Sequence, residues 1–328
     1  MTPEATLIAD AAVLDASATI CAQHQEPVDV SVRTVDLYEA LRNLTGDTVD
    51  IVKAATHLRI KWAKGVYKLP VGAPTLQFEE PPRQEPDAYC QMPSAEFHDL
   101  LQQVTYWDVT EDDKAYTDVV SFERYKGDQV SVVQCGARML NHVGITVPTT
   151  VQVNQFCLSI LSSRLLKKIA LLMPGTVSWR TSGRDIEVSF DGLVRIYALG
   201  VAVPFPQWRA LMPRGGFKWV TVAQRDLQEA LRRVAQFEHV TAVFNIIDEN
   251  LGIRFLTEAG VSGDESIHVQ SSTITPTDVI RLPADALYRA VCQHAAGTNV
   301  RLRIWGEGSP VVLDSSDNYM QMLAQMRF

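Results

Sequence analysis

The sequence is short of the marks by which enzymes usually announce themselves. Its 328 residues contain no Walker loop, no HExxH, no GxSxG and no glycine-rich dinucleotide turn after a strand. Five cysteines (Cys21, Cys90, Cys135, Cys157, Cys292) are odd in number, far apart and never in a CxxC pair. That excludes a disulfide framework and a zinc site, and fits the reduced thiols of a cytoplasmic protein. No apolar run approaches the ~20 residues of a membrane span. The front shows no basic segment followed by an apolar one, so neither a membrane nor an export route is expected. Positive charge is also scarce, with 30 Lys+Arg against 38 Asp+Glu for a net charge of −8. Any contact with nucleic acid must therefore use a local patch. The seven histidines are scattered, and His294, on an apolar helix stripe, reads as a packed or capping residue. No cofactor or metal is called for. These absences favour a binding or scaffold protein, although a site assembled in space leaves no such signature.

What is present is periodic. Five segments carry apolar residues at helical spacing: Leu37-Ala40-Leu41-Leu44, Phe97-Leu100-Leu101-Val104, Leu158-Leu161-Leu165 with Leu166, Leu227-Ala230-Leu231-Val234, and Leu287-Ala290-Val291-His294. Thr34, Pro93-Ser94, Asn154, a capping box of Thr221 with Gln224, and Pro283 supply start signals, giving helices over 94–107, 154–172 and 222–237 among others. Each helix is followed by alternating strand patterns around tight turns, as at Lys126-Gly127-Asp128, Ser182-Gly183-Arg184 and Asp248-Glu249-Asn250. GEGSP (Gly306 to Pro310) reads as one more hairpin turn. The leading apolar positions 37, 97, 158, 227 and 287 recur about every sixty residues, an internal repeat of one helix plus a few antiparallel strands. One unit has a single apolar stripe and a one-faced sheet, so units must pair to share a core. The class is α+β. FEEPPRQEPD (Phe78 to Asp87) reads as a linker, and FPQWRALMP (Phe205 to Pro213) holds the matching place one pair of repeats later. The expected domains are 1–86, 87–204 and 215–328, with 205–214 as connector and the first domain incomplete. Two prolines make FPQWRALMP a poor helix and a poor strand; its Phe, Trp, Leu and Met suit a buried connector.

Paired helix-plus-sheet repeats, interrupted by VPFPQWRALMP (Val203 to Pro213), with VVQCGARML (Val132 to Leu140), GVYKLP (Gly65 to Pro70) and the ending QMLAQMRF (Gln321 to Phe328), resemble the bacterial DNA sliding clamp, the beta subunit of DNA polymerase III. The resemblance runs from about Leu7 onward. It implies the DNA-clamp fold: three similar domains per subunit, two subunits joined head to tail as a homodimer ring, helices inside around duplex DNA and sheets outside. It also implies no catalysis. The ring would hold the replicative polymerase, the clamp loader and other clients by a short hydrophobic motif, without reading DNA sequence.

The resemblance places the client groove at Thr117, Gly136, Arg138, Met139, Pro206, Ala210, Leu211, Met322, Leu323, Met326, Arg327 and Phe328. Three departures stand out: Cys135 for an Asp, Gln325 for a Pro, and Ala210 for an Arg. For the subunit interface it implies Tyr67 and Leu69 of one subunit against Phe237 of the next. DNA would face Arg164, Lys167, Lys168, Arg232 and Arg233, with Lys114 and Tyr116 on the loop after the acidic run Glu111-Asp112-Asp113. On their own such residues read as solvated surface charge, and the helix at 94–107 is acidic through Glu96 and Asp99. The opening ATLIADAAVLDASATICAQ resembles the later strands of a first repeat whose initial strand, helix and hairpin are missing, leaving five repeats where the family has six. A shortened clamp or a late gene start would each produce that, and a clamp-like protein that competes for clients without encircling DNA stands as the alternative function.

Overall fold

The computed structural model describes residues 4–11, 14–21, 30, 32–41, 44, 49–72, 88–106, 115–126, 129–136, 138–146, 155–182, 185–191, 194–237, 240–247, 249–257, 259–316 and 318–326. The chain divides into two compact units, one of residues 1–85 with 191–197 and one of residues 86–190 with 198–328. The expected linker at 78–87, the helix start at Asn154 and the acidic run at 111–113 lie outside the described residues.

In the first unit, β1 (Glu4–Ala11) and β2 (Leu14–Cys21) form an antiparallel hairpin. Helix α1 (Thr34–Leu41) follows, then β3 (Asp50–Lys53), β4 (His57–Trp62) and β5 (Gly65–Pro70) in one antiparallel sheet. Ala40, Leu58, Ile60 and Leu69 make its core, with Leu37 and Leu41 of the predicted helix stripe packed against them. β5 is an edge strand with an exposed outer row.

The second unit repeats one topology. Its first half runs β6 (Ala88–Pro93), α2 (Ser94–Thr105), β7 (Val119–Lys126), β8 (Gln129–Cys135), β9 (Met139–Thr146), β10 (Phe156–Ser159), α3 (Ile160–Leu172), β11 (Thr176–Ser182) and β12 (Asp185–Phe190). In sequence β13 (Val194–Leu199) follows, its residues 194–197 belonging to the first unit, then one helical turn of the second unit, α4 (Trp208–Leu211). The second half runs β14 (Lys218–Ala223), α5 (Gln224–Val234), β15 (Thr241–Ile247), β16 (Asn250–Leu256), β17 (Ser262–Ser272), β18 (Ile280–Pro283), α6 (Ala284–Val291), β19 (Asn299–Ile304), β20 (Val311–Ser316) and β21 (Tyr319–Leu323). Equivalent strands pair in both halves: β6 with β11 as β14 with β19, and β7 with β10 as β15 with β18. The sixty-residue period is thus a real structural repeat.

The halves are joined by one antiparallel seam. β9 pairs with β21 from Tyr319↔Val143 to Leu323↔Met139, completing a 12-stranded sheet. Because side chains alternate across a strand, the seam serves two cores. Met139 and Leu323 join the large cluster under α5 and α6 with Leu227, Leu231 and Leu287. Their neighbours Leu140 and Met322 face the other way, with Val133, Val312 and Trp208.

All five predicted helices form, with three corrections. The third begins at Ile160, because β10 occupies 156–159 and the Ser159 hydroxyl accepts the Ser162 amide at 3.0 Å as a side-chain cap. That shift changes its face: Leu158 sits in β10, Leu161 and Leu165 are exposed, and Ile160, Ser162, Ser163, Leu166 and Ala170 point inward. The capping box is not formed. Thr221 lies in β14 opposite Arg301, Ala223 occupies the cap position, and the Gln224 amide donates to the Thr298 carbonyl at 2.9 Å. In FPQWRALMP the backbone does turn once as α4, between Pro206 and Pro213. The hairpin turn at GEGSP needs its glycines, with φ of 127° at Gly306 and 75° at Gly308.

Candidate client groove and nucleic-acid face

The connector is pinned to the outer face of the seam by polar bonds around an aromatic anchor. Trp208 is buried and stacks on His142 of β9, with ring centroids 4.8 Å apart. Its indole N–H donates to Glu123 Oε1 at 2.5 Å, and Arg209 donates to the same oxygen at 2.5 Å. Arg209 also lies over the Trp208 ring at 4.4 Å. Burial, then the Arg209 charge, lowers the His142 pKa to about 4, so the stack is neutral at ordinary pH. Phe205 and Met212 close over this cluster from either side of the turn, while Leu211 stays 52% exposed.

The tail is held just as specifically. Ala324 N–H donates to the Arg138 carbonyl at 2.8 Å and Met326 N–H to the Arg281 carbonyl at 3.0 Å. Gln325 donates to the Gly306 carbonyl at 3.0 Å and the Ser309 carbonyl at 2.6 Å, which fastens the tail to the β19–β20 hairpin.

Of the groove residues inferred from the sequence, Pro206, Ala210, Leu211 and Met322 belong to the connector and to the sheet face beneath it. Gly136 and Arg138 form the β8–β9 turn, where the Gly136 amide donates to the Met139 carbonyl at 2.8 Å. Met326 is half-buried on the tail. Met139 and Leu323 are turned to the helix-side core, and Thr117 is buried in a short 3-10 turn whose carbonyl accepts Gln134 at 3.4 Å. Arg327 and Phe328 lie outside the described residues. Sequence reasoning missed Glu123, His142 and Gln134. Only the alternation of β7–β9 hinted at them, and it cannot say which strand the connector crosses.

On the helix face, Arg164 donates to the Thr105 carbonyl at 3.3 Å and Lys167 to Gln102 at 2.9 Å, while Lys168 is exposed. Arg232 is exposed; the Arg233 fork closes on Glu265 of β17 at 2.7 and 2.8 Å. Tyr116 falls in the 3-10 turn and Lys114 outside the described residues. Of the interface residues, Tyr67 is exposed and stacked on Trp62 at 4.7 Å, whereas Leu69 belongs to the core of the first unit. Phe237 stacks on Phe255 at 5.4 Å. Phe255 in turn lies against Gly263, where an added Cβ would come within 2.7 Å of the ring and force the ring to shift. His294 is a packed residue, bonded to Ser315 at 2.7 Å and Gln321 at 3.0 Å. Among the described residues no group of three or more His, Cys, Asp or Glu side chains could hold a metal ion, and no helix is long and apolar enough to cross a membrane.

Twice-repeated strand–helix–three-strand units, paired under a shared layer of helices, define the α+β DNA-clamp fold. Among solved structures, those that match include DNA polymerase III beta subunits. The Thermotoga maritima beta subunit superposes with a TM-score of 0.87 at 15% identity, over 99% of this chain and 90% of that one. A beta subunit assigned in Eubacterium rectale gives 0.85 at 15%, over 99% and 89%. The Bartonella birtlesii sliding clamp, solved bound to griselimycin, gives 0.85 at 17%, over 98% and 88%. No protein-family model and no curated protein matches the sequence.

Proposed function

We propose that this chain is a non-catalytic sliding clamp: a homodimer ring that surrounds duplex DNA and tethers the replicative polymerase and other clients through an apolar groove beside the connector. The observation that carries this is the clamp fold over nearly the whole chain, with the connector packed through Trp208 on the Leu140–Met322 face of the seam and the tail fastened to Arg138, Arg281 and the β19–β20 hairpin. Two sheet edges support the ring. Among the described residues β5 is open on one side, and the Ser262–His268 half of β17 pairs only with β16. Open edges invite association, and head-to-tail closure joins one to the other. Cys135 and Ala210 stand where the resemblance expects charged residues, so the groove's preferred peptide differs from the family's usual one.

A loader-dependent primer-extension assay tests the proposal. The wild type should lengthen products and sediment as a dimer. Leu211→Ala with Met326→Ala should remain dimeric and lose the effect, with client-peptide affinity reduced roughly tenfold to a hundredfold, as for truncation of a small interface's anchors. A monomeric wild type with no effect on product length overturns the proposal.

A further inference from the structure

An aromatic shelf lies between the connector and β14, built from residues outside the inferred groove. Arg301, Arg303 and Trp305 of β19 alternate with Val300, Leu302 and Ile304, which are buried in the helix-side core. They therefore share the face of Val312, which pairs with Arg303 and belongs to the Trp208 cluster. Trp305 packs on the edge of that cluster, and its indole N–H donates to the Gly215 carbonyl at 3.2 Å. Phe217, just before β14, is 41% exposed; its ring lies 5.2 Å from that of Trp305 at an angle of 47°. The Arg303 guanidinium sits 5.2 Å from the Phe217 ring centre. A Cβ added at Gly215, Gly216 or Gly306 would meet nothing within 4 Å, so the backbone beside the rings is open.

The charge here is of one sign. Lys218 pairs with Asp278 at 2.7 Å and Arg281 with Glu307 at 2.6 Å, and these cancel. Arg301 and Arg303 share the single carboxylate of Asp314, at 2.7 and 2.5 Å, which leaves one positive charge over. Arg214 is exposed and has no partner among the described residues. Aromatic rings with arginine are what the centres of protein interfaces are enriched in.

We propose that this shelf binds the flank of a client peptide, taking one aromatic and one acidic residue beside the apolar anchors. The inference rests on the client-groove reading and adds the chemistry of the segment next to it. Continuity favours a peptide. Trp305 packs on the cluster that holds the connector, and Gly306, the next residue, accepts the Gln325 bond that fastens the tail. Connector and tail carry Leu211 and Met326, so the shelf extends the surface that those anchors offer. Ring geometry agrees: two rings tilted by 47° form a notch for one side chain, whereas successive nucleotide bases stack on parallel faces. The surplus guanidinium and Arg214 select a carboxylate as its neighbour.

Fluorescence anisotropy on the full-length protein tests this. One labelled peptide carries the apolar anchors alone; others add Asp-Phe, Lys-Phe or Asp-Ser at either end. Asp-Phe at one end should tighten binding about tenfold, and Lys-Phe and Asp-Ser should each lose most of that gain. Phe217→Ser and Arg214→Gln change exposed side chains, so both should keep the wild-type melting temperature and the affinity for the anchors alone. Each should remove most of the gain from Asp-Phe. The two readings fail separately: if the anchors alone do not bind but the Asp-Phe peptide does, and Phe217→Ser weakens it, the shelf stands without the groove. Equal affinity with and without Asp-Phe at both ends, no binding of any peptide, or a gain that survives both substitutions overturns the proposal. Phe217-dependent binding of a labelled oligothymidylate that the Asp-Phe peptide does not displace also overturns it, and assigns the shelf to single-stranded nucleic acid.

Discussion

Helices α3 and α5 lie on the same face of the long sheet and are built from opposite kinds of sequence. α5 buries Leu227, Ala230, Leu231 and Val234 and turns Arg225, Asp226, Glu229, Arg232 and Arg233 to solvent. α3, ILSSRLLKKIALL, is apolar on nearly every side. It buries Ile160, Leu166 and Ala170 together with Ser162 and Ser163, and leaves Leu161, Leu165, Leu171 and Leu172 exposed. Hydrophobic spacing selects a face only where the opposite face is polar. In α3 the phase is set instead by the Ser159 cap and the preceding strand, and each residue of shift turns the helix by about 100°. The cost shows at Ser163, whose buried hydroxyl has no hydrogen-bond partner among the described residues.

The sharpest way to break this comparison is to truncate the leucine that each helix encloses completely. Leu231 and Leu166 are both at 0% exposure. Leu231→Ala and Leu166→Ala should each cost about 2–5 kcal/mol, since the cavity adds to the lost transfer energy. Urea unfolding measures both. A benign Leu166→Ala would mean that α3 packs by another face and that the two helices differ less than their burial shows.

The same contrast explains what could be foreseen. The presence of the five helices, their sixty-residue period and the strand hairpins were legible, because apolar periodicity and turn residues are local signals, but the buried face of α3 was not; turn positions 127–128, 183–184 and 248 lie outside the described residues. The faces of β9 and β21 were not. Met139 and Leu140, or Met322 and Leu323, are adjacent apolar pairs, and which member faces the connector follows from the long-range pairing Leu323↔Met139. The Trp208–His142–Glu123 anchor was illegible for the same reason: its members come from three segments, and no periodicity links them. The front of the chain gave a strand pattern that the β1–β2 hairpin bears out.

A smaller effect separates the two halves by pH. His142 anchors the connector in the first half and His294 ties α6 to β21 in the second. Burial is the main cause that lowers each pKa to about 4. In the unfolded chain a histidine takes up its proton near pH 6.5. Between about pH 6.5 and 4 the unfolded state therefore binds more protons, and stability falls as pH falls through that window. Each histidine should contribute a loss of up to about 3 kcal/mol by pH 4. Urea midpoints measured across the window should flatten by a similar share in His142→Gln and in His294→Gln. Flattening in only one would show that the other half opens locally before the whole chain unfolds.

The smallest effect belongs to the exposed leucines, and it completes the comparison. Leu161 and Leu172 are 63% and 76% exposed on α3, so replacing them removes little apolar area from the interior. Glutamine has nearly the helix propensity of leucine, which leaves the helix itself undisturbed. Leu161→Gln and Leu172→Gln should therefore shift stability by no more than about 0.5 kcal/mol, against several for Leu166→Ala on the same helix. The midpoint of urea unfolding distinguishes the cases without any assay of function. A loss approaching that of Leu166→Ala would show these leucines enclosed in the protein in solution, and α3 would then be a helix buried on two faces, unlike α5 in packing as well as in sequence.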